Sequence, residues 1–293
     1  MAELTSHFGT WTFDGQTLRI TPGTHRRVHK VRKVLGELAI PLTAIAGLSY
    51  EPGRKTGRVR VRLKPGADPL SQVAGGHLGD NADPYQLTVE PEQQQAAEYL
   101  VDAVNFSPRP DGTPETFDRY VLPGPAVPVT VSIAEGSVSC DGSRVAIDWG
   151  WQAPGAKRKL GRKELSLTAL DGVDWRPMVG LNDGLLRFRV RGLDTALPPE
   201  ADPHCVRLLW GTENELLTVL VAAAVVARLP HPNAPAVSEP DERDRPQPDA
   251  SSLEEVDGVL RRLRELGDLH RDGILDDDEF AAAKQALLRR LSG

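Results

Sequence analysis

Polar and apolar residues alternate along several short segments of this chain, and turns rich in glycine and proline separate these segments. Two of them, Thr17 to Ile20 and Arg58 to Leu63, show the pattern of strands in an antiparallel sheet with hairpins. From Glu92 to Val104 the apolar residues recur at helical spacing instead, which predicts a helix. Leu216 to Leu229 form a second, apolar helical segment, which Pro230 ends. Each half of the chain is therefore predicted to contain several strands followed by one helix.

Three stretches of sequence occur twice, in the same order and about 125 to 127 residues apart. The pairs are Phe13 to Ile20 with Cys140 to Ile147, Pro41 to Leu48 with Ser166 to Val173, and Gly57 to Arg62 with Gly184 to Arg189. This period is too long for a solenoid repeat. The chain is therefore predicted to contain two copies of one α+β domain.

The pattern divides the chain into five parts. They are a first copy (1–106), a proline-rich linker (107–128), a second copy (129–230), a second linker (231–250) and a helical hairpin (251–293). The second linker carries many prolines and acidic residues with almost no large apolar side chains, so we predict that it is disordered.

Composition and the absence of targeting patterns together predict the cellular location of the protein. The chain has 293 residues, 40% of them hydrophobic, and a net charge of −6. The longest apolar run, Leu216 to Val226, is shorter than the roughly 20 residues of a bilayer span, so we predict a buried helix there. Cys140 and Cys205 have no paired spacing that would require an oxidising compartment. With no signal-peptide pattern at the N-terminus, a cytoplasmic protein is expected.

The two helices of the C-terminal hairpin each carry an apolar stripe. The residues predicted to dock a partner are Leu260, Leu263, Leu266 and Leu269 on the first helix and Phe280, Leu287 and Leu288 on the second. Together with the turn Gly273-Ile274-Leu275-Asp276-Asp277-Asp278-Glu279-Phe280, this pattern resembles the SHOCT (short C-terminal) domain. The resemblance implies self-association or docking to a protein partner, and no catalysis.

The duplicated region ahead of this hairpin resembles a bacterial family that carries two copies of domain of unknown function 4429, over most of residues 9 to 229. Its order of strands and then a helix is similar to that of bacterial pleckstrin-homology-like (PH-like) domains. The resemblance implies two tandem PH-like domains, each an antiparallel sheet or barrel closed by a C-terminal helix. A fold alone does not establish a function.

Basic residues cluster at the same place in both copies, after a strand. The predicted anion-binding residues are Arg26, Arg27, Lys30, Arg32 and Lys33 in the first copy and Lys157, Arg158, Lys159, Arg162 and Lys163 in the second. Such clusters attract phosphate groups or acidic protein, because guanidinium groups pair well with both. Further arginines alternate along one strand of each copy, at 58, 60 and 62 and at 187, 189 and 191. For those arginines an ordinary charged, solvated sheet face is the favoured interpretation.

Catalysis and cofactors find no support in the sequence. It contains no nucleophile elbow, Walker loop or dinucleotide fingerprint. The loop from Asp268 to Glu279 resembles an EF-hand, but His270 stands where an oxygen ligand is expected, so we predict no metal site. Trp149 and Trp151 flank Gly150 just before the second basic cluster, and at least one of them is expected in the core.

The sequence therefore predicts a non-catalytic intracellular adaptor or scaffold, with the hairpin as its oligomerisation or docking element. The alternative is a peripheral binder of anionic ligands, either phospholipid headgroups at a membrane surface or acidic protein segments. Nucleic-acid binding is disfavoured by the acidic net charge and by the lack of aromatic residues within the basic clusters. A further hypothesis is that acidic residues of the tail cover the basic clusters; they include Glu239, Asp241, Glu242 and Asp244.

Overall fold

Four strands form an antiparallel meander at the start of each copy, and three more strands form a second meander after it. The computed structural model describes residues 1–180, 182–193, 197–209 and 214–235. The predicted C-terminal hairpin with its predicted docking leucines, the acidic tail and the EF-hand-like loop lie outside the described residues. So does the second linker from residue 236 onward.

The first copy contains seven strands and three helices. The first sheet is β1 (Ala2–Ser6), β2 (Gly9–Phe13), β3 (Thr17–Pro22) and β4 (Leu38–Pro41), and the second is β5 (Ile45–Glu51), β6 (Gly57–Leu63) and β7 (Gln86–Val89). The helices are α1 (Lys30–Leu35), α2 (Pro69–Ala74) and α3 (Gln94–Asn105). Helix α1 lies in the basic loop between β3 and β4, and α2 lies between β6 and β7.

The second copy repeats this order of strands. Its first sheet is β8 (Val129–Ile133), β9 (Gly136–Cys140), β10 (Arg144–Trp149) and β11 (Lys163–Ser166), and its second is β12 (Leu170–Arg176), β13 (Gly184–Val190) and β14 (Cys205–Leu208). Helix α4 (Gly155–Lys159) lies in the basic loop, and α5 (Thr218–Val226) follows the last strand. The predicted α+β class is confirmed, with antiparallel sheets in both copies.

The repeated Asp-Gly turns have one structural cause. The carboxylates of Asp14 and Asp141 each accept hydrogen bonds from the backbone N–H groups two and three residues later, at 2.7–2.9 Å. These bonds lower the pKa of both carboxyls, that of Asp141 to about 2. The two turns set the register of the hairpins β2–β3 and β9–β10.

The closing helices of the two copies are buried to different extents. Helix α3 is amphipathic and buries Ala97, Leu100 and Val104 against its own sheets. Helix α5 is apolar on every side and buried from Thr218 to Val225, as the sequence predicted. It packs on the second copy's sheets and also on α2 of the first copy. A helix that is covered on two sides has no polar face to expose.

The segment 107–128, all of which is described, contains no helix or strand and lies along the first copy. The N–H groups of Phe117 and Val121 donate to the carbonyls of Pro65 and Ala67, both at 2.9 Å. Further along, Gly124 lies so close to α5 that an added Cβ would stand 2.4 Å from the Ala227 Cβ. Residues 1–235 thus form one unit that includes both copies.

Candidate functional site

Of the ten predicted anion-binding residues, the structure places nine in the loops that carry α1 and α4, and it places Lys163 at the start of β11. Seven of them are exposed and Lys163 is half-buried; the exposed ones are Arg26, Arg27, Lys30, Lys33, Arg158, Lys159 and Arg162. Arg162 pairs with Asp148 at 3.1 Å and with Glu164 at 2.9 Å. The remaining two, Arg32 and Lys157, are buried within their copies.

In the second copy, Lys157 belongs to a closed cluster of charges. Its side chain is fully enclosed, and its Nζ lies 3.4 Å from Oε2 of the equally enclosed Glu135. The same Nζ donates to the carbonyl of Cys205 at 2.7 Å and stands 4.9 Å above the Trp149 ring. Burial lowers the pKa of Lys157, and the Glu135 carboxylate opposes that shift.

Arg207 completes this cluster from β14. Its Nε donates to Glu135 Oε1 at 2.6 Å, and its backbone N–H donates to Glu135 Oε2 at 3.0 Å. Both oxygens of the buried Glu135 carboxylate are therefore bonded, and this one carboxylate faces both the buried Lys157 and the half-buried Arg207. Buried charges are tolerated when they are paired and hydrogen-bonded in this way.

In the first copy, Arg32 lacks such a partner. The residue is only 5% exposed, and its Nε and Nη2 are enclosed without a hydrogen-bond partner among the described residues. Burial lowers the pKa of Arg32, and the charge of Asp83 opposes that shift. Arg32 lines a cavity of about 50 Å³, whose other lining residues are Phe8, Arg27, Arg58, Asp80, Asn81, Gln86 and Thr88.

Strand register shows that this cavity and the closed cluster occupy equivalent places. Gly57 pairs with Val89 in the first copy, as Gly184 pairs with Leu208 in the second, so Thr88 matches Arg207 and Gln86 matches Cys205. The second strand of each copy, β2 and β9, begins at a glycine with positive φ, Gly9 and Gly136. The residues just before these glycines, Phe8 and Glu135, therefore occupy equivalent positions. Helices α1 and α4 begin 125 residues apart, so Arg32 matches Lys157.

The alternating arginines of β6 and β13 mostly pair with carboxylates nearby. Arg58 and Arg60 both reach Asp80, at 2.7 and 3.3 Å. In β13 the pairs are Arg187 with Asp202 at 2.8 Å and Arg189 with Asp174 at 3.5 Å, and just after it Arg191 with Asp171 at 2.9 Å. These pairs favour the interpretation of the strands as ordinary charged sheet faces.

The two tryptophans that flank Gly150 differ in exposure. Trp149 is half-buried over Lys157, whereas Trp151 is 80% exposed. At the other end of the same loop, Leu160 is 60% exposed next to the exposed Arg158 and Lys159. An exposed aromatic ring, an aliphatic side chain and two cations thus share one loop.

Both cysteines are buried, Cys140 in the core as expected. Burial raises the pKa of both thiols, that of Cys205 to about 11, so neither is a thiolate at neutral pH. The described residues hold no group of three or more histidine, cysteine or acidic side chains placed to bind a metal ion. Within the same residues, no helix combines the length and apolarity needed to cross a bilayer.

Sequence reasoning missed Glu135, which lies in a turn of β8–β9 far from Lys157 and Arg207 along the chain. Its one visible signal is a difference between the copies, a carboxylate where the first copy has Phe8. The burial of Arg32 and Lys157 had no signal in a loop with so many neighbouring cations.

Comparison with known families identifies both parts of the chain. The model of the Domain of unknown function (DUF4429) family matches residues 11–105 and 138–226. The model of the Short C-terminal domain (SHOCT) family matches residues 261–288. A search of curated proteins finds no match.

Proposed function

This chain belongs to the DUF4429 family, and from that premise we propose that it is a non-catalytic adaptor. In this proposal its tandem domains are PH-like, and its SHOCT domain docks partners or a second copy of the chain. The observation that carries the proposal is the order of two DUF4429 copies followed by SHOCT. In each copy a four-stranded and a three-stranded antiparallel meander precede a helix, which supports the PH-like assignment.

The packing of the copies supports a binding role. Because α5 is covered by both copies, the described unit presents two linked domains in a fixed arrangement. A SHOCT hairpin of two helices buries little surface by itself, so its leucines need another surface to cover them.

We expect the full-length chain to assemble through the SHOCT leucines. Light scattering after size-exclusion chromatography should give at least twice the mass of one chain. The double variant Leu263→Glu, Leu266→Glu should give the mass of a monomer, because a buried charge opposes helix packing. The matched control Arg261→Glu, Arg264→Glu makes the same change of charge outside the leucine stripe of the predicted helix and should keep the larger mass. A full-length chain that stays monomeric at all concentrations would contradict self-association.

A second function is favoured by the loop that carries Trp151. Exposed tryptophan is suited to the membrane interface, and each basic residue near an anionic surface adds about 1 kcal/mol. We therefore infer that this loop touches anionic lipid headgroups, with Trp151 and Leu160 inserted and Arg158 and Lys159 on phosphates.

We expect the protein to float with phosphatidylserine-containing vesicles and not with neutral ones. Trp151→Ser and Arg158→Gln should each weaken binding about fivefold, the factor that corresponds to about 1 kcal/mol. Phe106→Ser is the control, because Phe106 is 82% exposed outside the basic loops. Equal binding by the control and Trp151→Ser, or no binding to anionic vesicles, would rule the loop out as a membrane contact.

A further inference from the structure

We propose that the cavity at Arg32 in the first copy binds one tetrahedral oxyanion, a phosphate or the phosphate group of a monoester, in the place that the Glu135 carboxylate takes in the second copy. This site goes beyond the adaptor role and does not depend on the SHOCT domain. It also lies in a different copy from the Trp151 loop.

The first support is the state of the Arg32 side chain. A buried donor without an acceptor destabilises the fold, and a charged donor does so more strongly. Arg32 buries two such nitrogens at the edge of a cavity. An oxyanion is the natural acceptor, because the planar guanidinium donates two parallel bonds to it.

The second support is the comparison of the copies. At the four equivalent positions the second copy holds Glu135, Lys157, Cys205 and Arg207, and it satisfies its cations with its own carboxylate. The first copy keeps the cation, as Arg32, but has the apolar Phe8 where that carboxylate would be. An external anion would restore the balance that Glu135 provides in the second copy.

The third support is an excess of positive charge around the cavity. Arg58 and Arg60 share a single carboxylate, Asp80, at 2.7 and 3.3 Å. Arg27 also lines the cavity, and it has no ion pair within the described part of the chain. Together with Arg32 this makes four cations around the cavity, compared with two carboxylates, those of Asp80 and Asp83.

The other titratable groups near Arg32 leave this excess in place. The Asp83 carboxylate accepts a hydrogen bond from the backbone N–H of Tyr85 at 2.9 Å. Burial raises the pKa of Asp83, and the charges of Arg60 and Arg32 oppose that shift. His29 adds little charge at neutral pH, because burial and the neighbouring cations lower its pKa. The cavity thus favours an anion over a cation.

The cavity size limits the ligand. Its volume of about 50 Å³ is several times the roughly 10–15 Å³ that one water needs on the same measure. It is too small for a nucleotide or a whole lipid headgroup. One phosphate group fits, and the rest of a larger molecule would stay outside.

The test is calorimetric titration of the full-length protein with inorganic phosphate. We expect saturable binding that Arg32→Met weakens at least tenfold, since methionine keeps the apolar stem and removes the guanidinium. Arg176→Gln, which removes an exposed cation at the end of β12 in the second copy, should bind phosphate as the unchanged protein does. Parallel titration with glycerol 3-phosphate distinguishes the sources: binding tighter than that of inorganic phosphate indicates a monoester ligand, and weaker binding indicates the free ion.

A second variant keeps the proposal testable if Arg32→Met folds poorly. Phe8→Glu places the second copy's carboxylate beside Arg32 and should abolish phosphate binding while the melting temperature stays the same or rises. Phosphate should raise the melting temperature of the unchanged protein and not that of Phe8→Glu, because a ligand stabilises only a fold that binds it. Absence of phosphate binding by the unchanged protein, or equal binding by Arg32→Met or by Phe8→Glu, would overturn the proposal.

Discussion

Replacing Glu135 with glutamine is expected to lower the free energy of unfolding by about 3–5 kcal/mol, the usual effect of removing one partner from a buried ion pair. Glutamine has nearly the same shape, so the packing of the turn is retained. What is lost is the negative charge between two cations, Lys157 at 3.4 Å and Arg207 at 2.6 Å. Urea denaturation at neutral pH measures the change.

The matched control is Glu164→Gln, which removes an exposed carboxylate that pairs with Arg144 and Arg162. Exposed pairs contribute about 0–1 kcal/mol, so this variant should remain close to the unchanged protein. Equal losses in the two variants would contradict the assignment of Glu135 as the centre of a buried cluster.

The loss in Glu135→Gln should depend on pH. Burial lowers the pKa of Lys157 below its ordinary value of 10.5, and the carboxylate that opposes this shift is absent from the variant. The folded variant therefore releases the lysine proton at a lower pH than the unfolded chain does. Its stability should rise as the pH increases through the folded pKa toward 10.5, so its deficit should shrink between neutral and alkaline pH.

Replacing Trp175 with alanine is the second change with a large expected effect, about 3–5 kcal/mol of unfolding free energy. Trp175 is 3% exposed, and its indole N–H donates to Thr218 Oγ1 at 2.9 Å. It thereby joins β12 to the first residue of α5. Because α5 also packs on α2, loss of this contact should weaken the joint between the copies as well as the second copy itself.

Calorimetric unfolding checks this prediction, with Trp151→Ala as the control because its side chain is 80% exposed. The control should unfold within about 0.5 kcal/mol of the unchanged protein. A loss of less than 1 kcal/mol in Trp175→Ala would show that α5 is held in place without this tryptophan.

The parts of the fold that the sequence predicted are those with a clear period. Residues 92 to 104 became a 3-10 turn and α3, because the helix has one buried and one exposed face. The alternating residues at 17 to 20 and at 58 to 63 lie in β3 and β6. The short helices α1, α2 and α4 were missed, because five or six residues give too little periodicity to distinguish a helix from a loop.

The candidate site was predicted in part, for a physical reason. Local charge density located the two basic loops, but it cannot show which cations turn inward. That depends on residues far along the chain, such as Glu135, which lies 72 residues before Arg207. The only local signal of the buried cluster was that the first copy has Phe8 where the second has Glu135. The strand register was needed to show that these two residues occupy equivalent positions.

The duplication therefore has a specific consequence. The second copy places the Glu135 carboxylate between its two cations, whereas the first copy has Phe8 at that position. The two copies are therefore similar in fold, and we propose that only the first takes up an external anion. This difference makes each copy a control for the other.

The most direct measurement is a crystal structure of the full-length protein grown with tungstate, a tetrahedral oxyanion whose metal scatters X-rays anomalously. We expect an anomalous peak within hydrogen-bond reach of Arg32 Nε and Nη2, and none beside Lys157, where the Glu135 carboxylate lies. An empty Arg32 cavity at a tungstate concentration that occupies other surface sites, or equal peaks in the two copies, would contradict this expectation.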